Sequence, residues 1–459
     1  MIERNLERFP DLHPAFDSQS AVTEANRCLY CFNAPCMDAC PTHIDVPRFI
    51  KKIASGNLRG SAATILDANI LGLSCSRVCP VEVLCEGSCV MHGYNKKPIE
   101  IGRLQRYAME NAVMPPRAPA PSIPLKVACI GGGPASLACA AELRKQGASV
   151  TVFDNRPLPG GLNTYGVAEY KLRPQISLKE VEMVRAMGVE FRHEEIGATM
   201  PLADLEKQFD FIFIGVGLGA MERLGIPGED LPGVVDALRF IERYKTQPDF
   251  QVGRSVIVIG GGNTAIDAAN AAVRLGAEEV QLFYRRSDRE MPAFPFEYDH
   301  SKIEGVHFHW LAQPVAIIGK EGRAAGVRFL RTRLEDRRPV AIPNSEFEVS
   351  CDMVVPALGQ SRLTGTLPVD CNGGSMRVDH ATGRTSHPKY YAGGDCVNGG
   401  REVVDAVADG KRAALGMLGR VDLQVCDPAS RPDQASDSSP SSSGTWTSRA
   451  GLEAYPTNG

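Results

Sequence analysis

Lys126–Asp154 reads KVACIGGGPASLACAAELRKQGASVTVFD. Lys126–Ile130 is an apolar, β-branched run, the glycines 131–133 break it, and small residues from Ala135 to Gln146 take helical spacing before a second apolar run at Ser149–Phe153. This predicts a βαβ unit with its glycine turn between strand and helix. Gly131 and Gly133 let the backbone turn tightly and approach a pyrophosphate, which would sit on the helix N-terminus opened by Pro134, Ala135 and Ser136. Asp154, at the end of the second strand, offers a carboxylate to an adenosine ribose. Ser136 stands where the general pattern has its third glycine.

The same pattern returns at Ser255–Arg286, SVIVIGGGNTAIDAANAAVRLGAEEVQLFYRR. Here Gly260 and Gly262 form the turn and Asn263, Thr264 and Ala265 open the helix. The second strand ends in Tyr284-Arg285-Arg286 rather than in an acid. Guanidinium groups bind a 2′-phosphate that a carboxylate would repel, so the unit favours NADPH over NADH. The plainer alternative is two arginines ending a strand on a solvated face, and the basic stretch Arg328–Arg338 reads as a solvated strand or loop.

The chain has 459 residues, enough for about three domains. Its formal charge of −4 argues against nucleic acid as a partner, because phosphate binding needs a net basic face. No apolar stretch approaches the ~18 residues of a membrane helix, and the opening MIERNLERFPDLHP has no apolar core of the kind a secretory signal carries. No membrane and a cytoplasmic location are therefore expected. The proline-rich Met114–Pro124 reads as a semi-rigid linker. Beyond Cys426 the tail, with ASDSSPSSSG at Ala435–Gly444, lacks the apolar content to fold.

Eight of the 14 cysteines fall within residues 28–89, where even scattering would put about two. They form Cys28-x2-Cys31-x4-Cys36-x3-Cys40-Pro41 and Cys75-x3-Cys79-Pro80-x4-Cys85-x3-Cys89. Disulfide frameworks belong mostly to small secreted chains, so metal ligation is the better reading. Zinc sites favour Cys-x2-Cys pairs, and the second group has none. A short cysteine run ending in Cys-Pro, present twice, is the arrangement of two-cluster iron–sulfur proteins, in which that last cysteine ligates the other cluster. Short helices surround the cysteines: one capped by Asp45 through Phe49, Ile50 and Ile53 to Gly56, a second through Ala62, Ile65 and Leu66, a third through Ile101, Leu104 and Tyr107.

RCLYCFNAPCMDACPTHIDVPRFI, NILGLSCSRVCPVEVLCEGSC and PIEIGRLQRYA resemble the N-terminal module of the family containing dihydropyrimidine dehydrogenase and the small subunit of glutamate synthase. The resemblance covers about residues 20 to 420. It implies that Cys28, Cys31, Cys36 and Cys89 hold one [4Fe–4S] cluster and that Cys40, Cys79, Cys85 and Gln105 hold a second, with Cys75 a bystander. Gln105 is glutamate in the glutamate synthase subunit. Gly160-Gly161-Leu162 and Lys171 are similar to the family's flavin-contacting stretch, although the lysine position is usually arginine. Tyr391–Asp395, with Gly394 and Asp395, and the following helix from about Glu402 and Val403 to Leu418, resemble the second FAD motif. Asp210–Gly217 and Asp352–Gly359 resemble the strands closing each nucleotide domain.

The expected fold is therefore α+β and multi-domain. A helical iron–sulfur module (residues 1–120) precedes two Rossmann-like domains, FAD-binding in 121–235 and 362–426 with an inserted NAD(P)H-binding domain in 236–361, and a disordered tail occupies 427–459. The family implies FAD, two [4Fe–4S] clusters, NADPH or NADH as donor, and an FMN-containing dihydropyrimidine dehydrogenase large subunit as partner in a heterotetramer. Glutamate synthase is the rival assignment, and a nucleotide-binding scaffold without turnover the rival from another class. No acid–base residue on this chain is expected to be obligatory, because the cofactors carry the chemistry.

Overall fold

The computed structural model describes residues 8–113, 120–247, 249–363 and 367–420. Most of the linker and the whole tail lie outside them. Both predicted βαβ units form. The first comprises Lys126–Ile130, the helix Pro134–Lys145 and Ser149–Asp154, in a five-stranded parallel sheet of order 390–392, 211–214, 126–130, 149–154, 190–193. Tyr390–Ala392 thus returns from far along the chain to the sheet edge, beside Phe211–Ile214. The second unit, Ser255–Ile259, Asn263–Leu275 and Glu279–Tyr284, lies in a four-stranded parallel sheet with Met353–Pro356 and His307–Trp310 at its edges. The central strands of both sheets are buried on both faces, as their near-continuous apolar sequences require.

The second unit carries an addition that the motifs did not reveal. Ala312–Lys320, Arg323–Glu335 and Arg338–Ser350 form a three-stranded antiparallel sheet, so the basic stretch is indeed strand. Phe329 seats this sheet by stacking on Phe283, with ring centroids 4.2 Å apart.

In the first unit the helix Pro134–Lys145 packs along Val403–Met417. Their backbones come so close that a side chain at Gly410 would begin 2.1 Å from the Ala135 carbonyl oxygen. The N-terminal module is helical. Val46–Ala54 starts where Asp45 accepts a hydrogen bond from Arg48 N (3.1 Å), and it buries Phe49, Ile50 and Ile53 against Leu58–Ala68 and Ile101–Asn111. Each fully buried side chain of this kind contributes about 1.5–3 kcal/mol.

Two buried devices join the parts. Glu180, on Pro174–Ala186, accepts from Leu73 N (2.8 Å), Ser74 N (3.0 Å) and the Ser74 hydroxyl, so it caps Gly72–Val78 from another part of the fold. Residues 9–16 form a strap. Phe9 stacks on Tyr244, Arg274 donates to the Pro10 carbonyl (2.8 Å), Leu12 N donates to Tyr170 O (3.0 Å), and Arg173 and Arg106 both hold Asp11. One short segment thereby touches all three parts of the chain. Among the described residues no helix is long and apolar enough to cross a membrane.

Lys245 is fully buried, with Nζ donating to Val167 O (2.7 Å), and burial lowers its pKa to about 7 despite Glu169 and Asp267 nearby. A pKa depressed on folding stabilises the native state above the unfolded value, and that contribution is lost as pH falls through the folded value. Thermal stability should accordingly decline from pH 10 toward pH 7, and Lys245→Met, which keeps the volume without the charge, should flatten this slope. A midpoint-versus-pH series on both proteins measures it.

Candidate functional site

Three separated stretches meet at the start of Pro134–Lys145. Gly131 has φ +90°, in the region that favours glycine, and turns the chain back beside the Gly215 carbonyl. Gly133 lies against Gly161, whose side chain, if it had one, would begin 2.9 Å from the Gly133 Cα. Gly394, at φ +79°, comes equally close to Ala135. Ser136 is fully buried against Gly215, which explains a small residue in place of the third glycine. The helix N-terminus has no side-chain cap, so its N–H groups and positive dipole end point into the space between these backbones.

Asp154 accepts from Gly132 N (2.7 Å) and Arg156 N (2.8 Å) through different oxygens, and burial raises its pKa. The carboxylate is thus fixed at the strand end where a ribose would lie. Beside Leu162, the Asn163 Oδ1 is buried without a partner. An orphaned acceptor next to a bare glycine cradle fits a polar ligand of FAD's kind.

The second motif adds a charge cluster. Burial pushes the Asp395 carboxyl up to about 6, and Glu402, the N-cap of Val403–Met417, up to about 7, with Asp405 and Glu297 adding to the latter. Asp409 accepts from Gly394 N (2.9 Å) and is ion-paired with Arg412, holding the Gly394 turn in place. Lys171 is sunk between two carboxylates of the other unit, Asp267 (2.7 Å) and Glu297 (2.6 Å). Burial would lower its pKa, yet the two acids outweigh that and raise it. Tyr170 OH donates to Asp267 as well (2.9 Å). The sequence reading missed Asp267, Glu297 and Asp409. For Asp267 the available signal was an acid inside the otherwise uncharged AIDAAN.

At the second glycine turn, a side chain on Gly261 would strike the Tyr284 ring, whereas beyond Gly262 nothing lies within 4 Å. Asn263 Oδ1 accepts from Phe294 N (3.0 Å), tying the helix start to the next loop; Thr264 and Ala265 follow in its first turn. Arg285 is exposed and Arg286 half-buried, and Arg286 Nε is a buried donor without a partner. Open space at the helix N-terminus and an arginine Nε without a partner fit a phosphorylated dinucleotide.

The cysteines separate into two sets. Cys28, Cys31, Cys36 and Cys89 line one cavity with Leu29, Pro35, Val46 and Ile99. Burial and the neighbouring Cys28, Cys89 and Cys31 push the Cys36 thiol up to about 12. Cys79 is raised by a hydrogen bond with Cys75, by burial, and by Cys40 and Cys85. Thiols that repel each other's charge so strongly need a cation to ionise together, which is what iron supplies. Among the described residues no group of three or more His, Cys, Asp or Glu side chains is placed to hold a single metal ion. Gln105 is buried, with Nε2 donating to Gly72 O (2.8 Å), which leaves Oε1 as the atom through which it could ligate. Cys75 accepts from Asn69 Nδ2 (3.2 Å).

The family profile described as Dihydropyrimidine dehydrogenase domain II, 4Fe-4S cluster, matches residues 5–115, and that described as Pyridine nucleotide-disulphide oxidoreductase matches residues 125–410. The chain is 35% identical to the glutamate synthase [NADPH] small chain of Halomonas elongata, over 91% of this chain and 94% of that one. It is 33% identical to the NAD-dependent dihydropyrimidine dehydrogenase subunit PreT of Escherichia coli, over 88% and 95% respectively. Among solved structures, Mycobacterium tuberculosis FprA in complex with NADPH superposes with a TM-score of 0.55 at 21% identity, covering 65% of this chain and 84% of that one, a likeness of fold. The chain belongs to the family of NAD(P)-dependent iron–sulfur flavoproteins that contains these two subunits.

The ligand set implied by the resemblance predicts that Cys75→Ala keeps its iron, whereas Cys79→Ala and Gln105→Ala lose part of it. Iron per chain measures this. The reverse pattern would make Cys75 the ligand and Gln105 a packing residue.

Proposed function

We propose that this member of the family is the electron-input subunit of a cytoplasmic dihydropyrimidine dehydrogenase. It takes hydride from NADPH or NADH and passes electrons through two [4Fe–4S] clusters to an FMN-containing large subunit that reduces uracil or thymine to the 5,6-dihydropyrimidine, in a heterotetramer. The observation that carries this is the gathering of Cys28, Cys31, Cys36 and Cys89 around one cavity, while Cys75, Cys40 and Cys85 neighbour Cys79 and Gln105 is buried against the helix before it. The resemblance to dihydropyrimidine dehydrogenase supports reading Gln105 rather than Cys75 as the eighth ligand. A second reading rests on the glutamate synthase small chains, which are as similar and also match over nearly their whole length; the partner would then be an amidotransferase.

When bound, FAD accepts hydride and releases single electrons, which iron–sulfur clusters relay. This chain's residues bind and orient. We assign FAD to 121–235 with 362–426 and the nicotinamide to 236–361. Gly131, Gly133 and the N-terminus of Pro134–Lys145 take the pyrophosphate, Asp154 the ribose, and Gly161, Leu162, Gly394, Asp395, Glu402 and Val403 border the flavin. Lys171, clamped by Asp267 and Glu297, ties the flavin segment to the nicotinamide helix and fixes the distance between the two ligands.

For the coenzyme, the unsatisfied Arg286 Nε supports NADPH. The two relatives divide, one NADPH-dependent and one NAD-dependent by name. The double substitution Arg285→Ala, Arg286→Ala should raise the KM for NADPH by about tenfold, the loss of one charge-assisted contact of ~1.5 kcal/mol, while the KM for NADH stays within twofold, roughly. Equal effects on both would show that these arginines do not read the 2′-phosphate. For the partner, affinity copurification from the native host should recover an FMN protein of the dihydropyrimidine dehydrogenase type; recovery of a glutamine amidotransferase subunit would replace this reading with the second.

A further inference from the structure

The cavity lined by Cys28, Cys31, Cys36 and Cys89 opens where the chain displays apolar side chains to solvent. Phe32, between two of these cysteines, is 98% exposed, Leu29 is 53% exposed, and Tyr94, in the turn after Cys89, is 65% exposed. Isolated exposed apolar residues are ordinary, but here three lie on segments that supply the lining of one cysteine-lined opening. The charge around it is predominantly basic. Segments 27–52 and 89–99 carry six Lys and Arg against two Asp, with Arg27 and Lys97 paired to Glu24 and Glu100 just outside them, on a chain whose formal charge is −4. Arg48 follows the lining residue Pro47 and is exposed. Lys51 sits 4.5 Å over the ring of Tyr30, inside the Cys28–Cys31 loop. Lys96 and Lys97 are exposed just before the lining residue Ile99.

We propose that this face docks an acidic electron-acceptor protein, with Phe32 as its apolar anchor and Arg48, Lys51 and Lys96 as a steering collar. A basic rim on an acidic molecule attracts a partner of opposite surface charge and turns the right face toward it. An exposed aromatic at the centre supplies the contact energy that the charges do not. Small interfaces of this make-up suit transient redox encounters, in which the acceptor must leave after each electron. The electrons come from NAD(P)H, and the inference rests on the reading of these four cysteines as cluster ligands.

The test uses the full-length holoprotein and flavodoxin, an acidic FMN protein, as the probe, with the basic protein cytochrome c as control. Binding by calorimetry and reduction with NADPH or NADH as donor are both measured. Wild-type affinity for flavodoxin should fall about tenfold or more between low and high salt. Arg48→Glu with Lys51→Glu, and separately Phe32→Ala, should each raise the flavodoxin Kd by about tenfold. Iron content and bleaching of the flavin by the donor should stay as in wild type. If iron is absent from wild type, it is the cluster reading that fails. With iron present, wild-type binding of flavodoxin that is absent, indifferent to salt or weaker than that of cytochrome c overturns the proposal, as do charge variants that bind like wild type.

Discussion

Everything that this chain can do with a dinucleotide depends on how closely three backbones approach the first turn of Pro134–Lys145. Gly133, Gly161 and Gly394 come from separate stretches, and neither Gly161 nor Gly394 could carry a side chain without crowding Gly133 or Ala135 and straining its own turn. Gly410 extends the same constraint one helix away, because it lets Val403–Met417 lie against the Ala135 carbonyl. What remains among these backbones is a shallow space floored by peptide N–H groups and a helix dipole. An anion is bound there by geometry rather than by a basic side chain.

The second glycine turn uses the same constraint for another purpose. Where the first unit ends its strand in Asp154, the second ends in Tyr284 and two arginines, and the tyrosine ring occupies the space against Gly261 that the Asp154 carboxylate fills against Gly132. One backbone plan thus occurs twice, with different side chains at a single strand end. The Lys171, Asp267 and Glu297 cluster then joins the two plans by charge, in an interior where an ion pair holds only if each partner is well satisfied.

Much of this was legible in the sequence, and the reasons are local. Both βαβ units announce themselves because strand, glycine turn and helix are contiguous and each has its own period. Asp45 could be named as a cap because a cap acts three residues away. What escaped reading is made of pairs far apart in the chain. Glu180 caps a helix that begins at Gly72, Asp11 is held by Arg106 and Arg173, and Lys171 meets Glu297 across more than a hundred residues. The antiparallel sheet after Ala312 was hidden for a different reason. Its strands alternate charged and apolar residues and lack any glycine motif, so only its basic stretch drew notice.

The return of Tyr390–Ala392 to the edge of the first sheet sets an order on biosynthesis. Its partner Phe211–Ile214 leaves the ribosome nearly 180 residues earlier and must wait with one edge unpaired. The whole second nucleotide unit, lying between them, has all its strands in hand first. The strand 390–392 therefore joins last, and the loop between it and Phe211–Ile214 closes at least entropic cost once the intervening unit is compact. A nascent chain arrested before Tyr390 would carry a finished second sheet and an open first one, the state most exposed to edge-to-edge aggregation and most in need of a chaperone.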